Sequence, residues 1–216
     1  MLPEKTSVDK FFHTLFGGHD HIVAGDRFET KPELMGNIVE KASKYAFPLY
    51  TVNPIHPSID FAYGYDPKKY EPNKPRRADL NCTSLKNLMF EIDGIPLDDQ
   101  LELLFRSGIP WTAIVFSGNK SYHAILSLED NLGEPHTQEG VEQYKQVWKR
   151  LAALINAEYA GKIVSLNEGV LDEATKNPSR FSRFPNYMRS GHLQRIEFMG
   201  TKCSMATLNK ILEKCP

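Results

Sequence analysis

Cysteine is scarce in this chain: three among 216 residues, Cys82, Cys203 and Cys215. They are too few and too scattered for a disulfide framework, and no two have the close spacing of a zinc site. A reducing, cytoplasmic setting is therefore expected. Long apolar runs are missing too. No stretch approaches the roughly 18 consecutive apolar residues that would mark a membrane span. The opening MLPEKTSVDKFFHTLF carries acidic residues where a signal peptide would have its apolar region, so no membrane partner is expected. Nor does one sign of charge dominate: 26 Lys+Arg stand against 27 Asp+Glu, a formal net charge of −1, which excludes a wholly basic protein of histone type. There is no internal repeat, low-complexity tract or convincing linker. At 41% hydrophobic and 25% charged, the composition is that of a globular chain of one or two domains with a sizeable core.

The charge is unevenly spread. Residues 176–216 carry eight basic side chains against two acidic ones, and residues 67–86 carry six against two. A patchwork of solvated faces gives such runs, and so does a polyanion-binding surface.

Phe11, Phe12, Leu15 and Phe16 predict a helix over 7–16. A second helix is expected from Thr30, with Pro32 in its first turn and Glu33 completing a capping box, to about Tyr45. PLYTV (48–52) and NLMFEID (87–93) read as strands, and Leu97 to Phe105 as a short amphipathic helix. WTAIVFS (111–117) and SYHAILSL (121–128), separated by Gly-Asn-Lys, predict a hairpin. Helical spacing of Val141, Tyr144, Val147, Trp148, Leu151, Leu154 and Ile155 predicts a long helix over 137–159. LQRIEFM (193–199) reads as a strand and Ser204 to Leu212 as a closing helix. This order predicts an α+β fold, a mainly antiparallel sheet flanked by helices.

Three constellations carry chemistry. In Phe90-Glu91-Ile92-Asp93-Gly94, strand alternation puts Glu91 and Asp93 on one face, with Cα atoms roughly 6.5–7 Å apart. Two such carboxylates suit a shared metal; alone, they also suit an acidic, solvent-facing strand. In Ser117-Gly118-Asn119-Lys120-Ser121-Tyr122-His123, a turn exposes backbone N–H groups, and Lys120, Ser121 and His123 add donors suited to phosphate. A plain β-turn with a satisfied histidine has the same pattern. A catalytic Ser–His pair is disfavoured, because same-face strand neighbours do not aim imidazole at the hydroxyl. Third, Val170-Leu171-Asp172 precedes Arg180-Phe181-Ser182-Arg183-Phe184, where guanidinium groups fit phosphates and aromatics fix them. Arginines lying over apolar surface would look alike. His19-Asp20-His21 lacks the hydrophobic central residue of a metal-binding His pair on an endonuclease strand and reads as loop.

Taken in this order, Glu-x-Asp, Ser-x-His and hydrophobic-Asp followed by basic residues resemble the catalytic signature of the archaeo-eukaryotic primase superfamily, the primase–polymerases of phage, plasmid and bacterial type. The resemblance covers roughly residues 48–199. It implies a primase catalytic core with an RRM-like palm over 48–216 and an N-terminal helical subdomain over 1–47 packed on it, or one continuous domain over 1–216. It implies template-directed nucleotidyl transfer in DNA replication, as a DNA primase, a DNA polymerase or both. Glu91, Asp93 and Asp172 would be the ligands of two divalent cations, Mg2+ or Mn2+, with His123 as a further catalytic residue. Lys120, Ser121 and His123 would hold the incoming triphosphate, with Arg180 and Arg183 as further phosphate ligands. Arg77, preferred over its neighbour Arg76, would add another contact. The family's first motif more often has Asp where this chain has Glu91; either carboxylate ligates these metals. Implied partners are single-stranded DNA template and primer and a dNTP or NTP, and longer relatives carry a helicase or accessory primase domain after this module. The implied setting is the cytoplasm of a bacterial, archaeal or virus-infected cell. Two other functions stay open: a catalytically inactive nucleic-acid-binding module on the same fold, and a metal-dependent nuclease.

Overall fold

The structure, a computed structural model, describes residues 5–57, 77–160 and 170–215. Helix α1 (Lys5–Leu15) buries Val8, Phe11, Phe12 and Leu15, which recur at the helical period. Three short strands follow: β1 (His21–Ile22), β2 (Ala24–Gly25) and β3 (Glu33–Leu34), with β1 and β3 antiparallel. Helix α2 spans Met35–Ala42. Its start therefore differs from the expected Thr30. A residue before proline is pushed out of the helical region, which excludes Lys31 from a first turn. The Glu29 carboxylate also takes the backbone N–H groups of Thr30 and Lys31. Glu33 pairs as strand with Ile22, and its carboxylate reaches Lys41 of α2 rather than a cap. His21, expected in a loop, likewise belongs to a strand.

The chain continues through β4 (Leu49–Thr51), β5 (Asn87–Ile92), α3 (Leu97–Arg106), β6 (Ala113–Phe116), β7 (Tyr122–Ser127) and the long α4 (Gln138–Ala160). It ends with β8 (Phe181–Arg183), β9 (Met188–Arg189), β10 (His192–Leu193), β11 (Arg195–Met199) and α5 (Met205–Leu212). Ser204 caps α5, its hydroxyl accepting from Thr207 N–H. The main sheet is antiparallel in the order β11–β6–β7–β5, and a smaller antiparallel sheet has the order β2–β4–β8. The expected strand over 193–199 is split: Leu193 pairs with Met188 in a β9–β10 hairpin, and β11 begins only at Arg195. Ser190 and Gly191 both have positive φ, 50° and 85°, as a tight hairpin turn requires.

Strand alternation sorts the main sheet into two faces. Leu88, Phe90 and Ile92 of β5 and Tyr122, Ala124 and Leu126 of β7 share a core with α3, α4 and α5. Met89, Val115 and Ile125 face the opposite way, into a second core with α1, α2, Tyr50 and Phe184. Among the described residues no helix is long and apolar enough to cross a membrane.

β5 is an edge strand, and several of its outer backbone groups find partners outside the sheet. The Asn53 side chain accepts from Asn87 N–H at 2.9 Å and donates to the Asn87 carbonyl, which also takes the Tyr144 hydroxyl. Trp148 Nε1 donates to the Met89 carbonyl at 2.7 Å, its ring stacked on Phe90. The last part of the edge is closed by a bridge between Ile92 and Leu171. An edge covered in this way leaves little room for another strand to pair with it.

Candidate active site

The bridge at Leu171 decides the geometry of the site. Asp172 N–H donates to the Glu91 carbonyl at 2.9 Å, and Asp93 N–H donates to the Val170 carbonyl at 3.1 Å. These bonds flank the Ile92–Leu171 pair and set Asp172 directly beside Glu91. On its other side Glu91 is paired in register with His123 of β7. Residues directly opposite in antiparallel pairs share a face. His123, Glu91 and Asp172 thus form a row across the sheet, on the face away from α3 and α4. Asp93 follows two residues after Glu91, at the strand end.

The row is tightly wired. Ser121 Oγ donates to Glu91 Oε1 at 2.8 Å, and Ser117 and Ser121 share a hydroxyl contact of 3.0 Å. His123 is almost wholly buried, with Nε2 3.4 Å from Glu91 Oε1 and Nδ1 3.2 Å from Ser182 Oγ on β8. Burial by itself raises the Glu91 pKa, but His123, the Ser121 hydroxyl and the Arg183 charge outweigh it and bring it down to about 2. Glu91 is held as a carboxylate.

The turn before β7 is shaped by Gly118, whose φ is +74°; an added Cβ would lie 3.1 Å from the His192 carbonyl and 3.2 Å from Arg189 Cβ. Only glycine meets both the left-handed backbone and the close approach of the β9–β10 hairpin. At the rim, Lys120 Nζ meets Asp93 Oδ2 at 2.7 Å, and Arg180 lies 3.3 Å from Asp172 Oδ2. The other Asp172 oxygen accepts from Ala174 N–H, and Asp93 Oδ1 from Gly94 N–H.

Arginines surround this row. Burial, then the charge of Arg189, lowers the Arg183 pKa, which Glu91 in turn raises. Arg183 Nε is buried without a hydrogen-bond partner. Arg77 donates to the Ser179 carbonyl at 2.9 Å and stacks over the Phe181 ring at 4.2 Å. Burial, then the charge of Arg180, lowers its pKa. Arg76 lies outside the described residues. Arg180, Arg183 and Arg189 of the basic C-terminal segment thus come to lie beside the acidic row.

Oxygen donors on one face suit hard dications such as Mg2+ or Mn2+. In donor type and backbone placement Glu91, Asp93 and Asp172 fit such ions. Each carboxylate has a partner within the chain, Glu91 with His123, Asp93 with Lys120 and Asp172 with Arg180, and among the described residues no three His, Cys, Asp or Glu side chains are gathered into a ready-made cage. The two rim pairs are substantially exposed, Lys120 by 67% and Arg180 by 42% of the side chain. Pairs of that kind are typically worth no more than about 1 kcal/mol, a small cost to any dication that would bind there.

Several participants escaped the sequence reading. Ser182 lies between two arginines in the sequence, where no pattern marks it as the partner of His123. Arg189 Nη1 reaches the Ser117 carbonyl at 3.4 Å, and it comes from the β9–β10 hairpin, which the expected elements do not include. The Ser190-Gly191 dipeptide was the available signal for that hairpin. Gln100, buried on α3, contacts the Lys120–Tyr122 backbone, and no sequence pattern marks it.

No family model matches the chain, and no curated protein matches it in sequence. Among solved structures, the AEP domain of the cyanophage S-2L primase-polymerase superposes with a TM-score of 0.64 at 17% identity, covering 99% of this chain and 98% of that one. The catalytic domain of the primase RepB', solved in complex with initiator DNA, superposes with a TM-score of 0.50 at 10% identity, covering 97% and 94%. The α+β architecture, antiparallel sheets flanked by helices, is that of an AEP primase catalytic domain.

Proposed function

We propose that this chain is a template-directed nucleotidyltransferase, a DNA primase, a DNA polymerase or both, that joins nucleoside triphosphates to a 3′-OH with release of pyrophosphate. The observation that carries the reading is the row His123–Glu91–Asp172, lying on an AEP primase fold and facing Arg180 and Arg183. Phosphoryl-type transfer needs positioning and charge neutralisation rather than a protein nucleophile. Carboxylates and cations meet that need, and the site is made of them.

In this reading Glu91, Asp93 and Asp172 hold two divalent cations, Mg2+ or Mn2+. Such ions, when bound, activate the attacking hydroxyl and neutralise charge on the triphosphate. Lys120, Ser121 and His123 bind the triphosphate, and Ser182 holds the His123 ring in place from β8. Arg180 and Arg183 take further phosphate oxygens, and Arg77 adds positive charge beside Arg180. The partners are a single-stranded DNA template with its primer, and a dNTP or NTP; the arginine cluster supports a polyanionic partner.

The test is Mn2+- or Mg2+-dependent incorporation of labelled nucleotide on a primed single-stranded template. Asp93→Ala and Asp172→Ala are each expected to abolish incorporation, as is chelation of the metal. Full activity in both variants would overturn the assignment. One observation favours a second reading, a nucleic-acid-binding module without catalysis: Asp93 and Asp172 are each paired with a cation of the chain itself. Tight template binding without any metal-dependent incorporation would select it.

A further inference from the structure

We propose that Gln100 is a positioning residue that sets the gap between Asp93 and the Lys120–Ser121 turn; this rests on reading that site as a nucleotidyl-transfer centre. Backbone groups of β7 alternate between its two neighbours. Ser117 N–H donates to the Ser121 carbonyl, so residue 121 faces β6. The Lys120 carbonyl and the Tyr122 N–H therefore point the other way, toward β5. But β5 pairs only as far as Ile92, opposite Tyr122, and its chain turns off through Gly94 at a φ of +85°.

The Gln100 amide fills the vacated place. Its Oε1 accepts from Tyr122 N–H at 3.0 Å, and its Nε2 donates to the Lys120 carbonyl at 2.8 Å. The second Nε2 proton goes to the Ile95 carbonyl, also at 2.8 Å. One side chain is thus bonded to both banks of the gap: the loop that follows Asp93, and the turn that carries Lys120 and Ser121.

Gln100 is fully buried, on a helix face whose other buried positions are Leu103 and Leu104. An amide in such a place costs stability unless its bonds are made, and here both donors are used, which leaves it one orientation. The Asp93–Lys120 ion pair spans the same gap at 2.7 Å, but it is too exposed to set the spacing by itself. Removing the clamp would leave the turn held toward β5 by the Ser121–Glu91 and Lys120–Asp93 side-chain contacts alone, and would let it shift against the carboxylates. Misplacements of about 1 Å in such sites cost up to about 100-fold.

Gln100→Met keeps the volume and removes every hydrogen bond. In Mn2+-dependent primer extension by the full chain, KM for the nucleoside triphosphate should rise about tenfold, with a smaller fall in kcat. A merely structural role would lower the folded fraction, which scales kcat and leaves KM where it was. Gln100→Asn, which keeps the amide but withdraws it by one methylene, gives the same readout should the Met variant not fold. An active wild type whose folded Gln100 variant keeps KM within about twofold overturns this inference alone. A wild type with no metal-dependent incorporation overturns the functional reading and this inference with it.

Discussion

Glu91 accepts the backbone N–H of Asp172 at 2.9 Å, and its side chain faces His123 across the next strand. The middle residue of the row therefore has its position fixed from both sides, by a bridge on the sheet edge and by a ladder pair within it. Its side-chain length is the remaining variable.

Shortening that side chain tests the row. Glu91→Asp keeps a carboxylate but withdraws it by one methylene from Ser121 Oγ, now at 2.8 Å. Incorporation is expected to fall about tenfold, and to fall at least about 100-fold further in Glu91→Ala. Steady-state primer extension with varied Mn2+ measures both. Equal activity in Glu91→Asp and Glu91→Ala would contradict the ligand role.

The depressed Glu91 pKa makes a pH prediction. Its ordinary value of 4.5 applies to the unfolded chain, and in the folded chain it is about 2. The ionised group stabilises the fold above about pH 4.5, and that contribution is lost as the pH falls toward about 2. Glu91→Gln, which does not titrate, should be less stable than the wild type at neutral pH, with the difference closing across this window. Denaturant midpoints at a series of pH values measure it; a difference that stays constant would count against the assigned cause.

Gly118 is expected to tolerate no side chain. Gly118→Ala must hold a φ of +74° and a Cβ at 3.1 Å from the His192 carbonyl. A loss of about 1–3 kcal/mol is expected, measured by urea denaturation, together with a raised KM for nucleotide. A variant as stable as the wild type would show that the β9–β10 hairpin yields easily.

Trp148→Phe isolates one bond on the β5 edge. The ring that stacks on Phe90 at a centroid distance of 5.3 Å is kept in kind, but the Met89 carbonyl loses its donor. A cost of about 1–3 kcal/mol is expected for an acceptor left buried and unpaired. Chemical denaturation reads it, and a neutral outcome would mean that another donor replaces the indole.

Short-range patterns in this chain were legible where one period governed them. Alternation along NLMFEID separated Glu91 from Phe90 and Ile92, and the structure sends those two apolar side chains into the helix-covered core. Gly-Asn-Lys between two β-rich runs marked the β6–β7 hairpin, and the apolar spacing of α4 marked the long helix. Long-range relations left no such trace. Nothing local says that Leu171 bridges Ile92, that Ser182 reaches His123, or that Gln100 completes the β7 backbone. Each depends on register or docking between segments far apart in sequence. The start of α2 turns on a local conflict: the capping pattern Thr30…Glu33 points to a helix, while Pro32 pushes Lys31 out of the helical region.

Asn53 donates to a carbonyl 125 residues further on, that of Pro178, from the same side chain that seals the start of β5. Contacts of such long sequence separation form late, because loop closure precedes any gain from them. During synthesis the last part of the β5 edge, beside Glu91 and Asp93, therefore stays uncovered until residues 170–172 emerge. A ribosome-bound or truncated chain lacking them exposes that ladder to foreign strands. The acidic row and the last part of the cover of its strand are completed by the same stretch of chain, so the row and the protection of that edge arrive together.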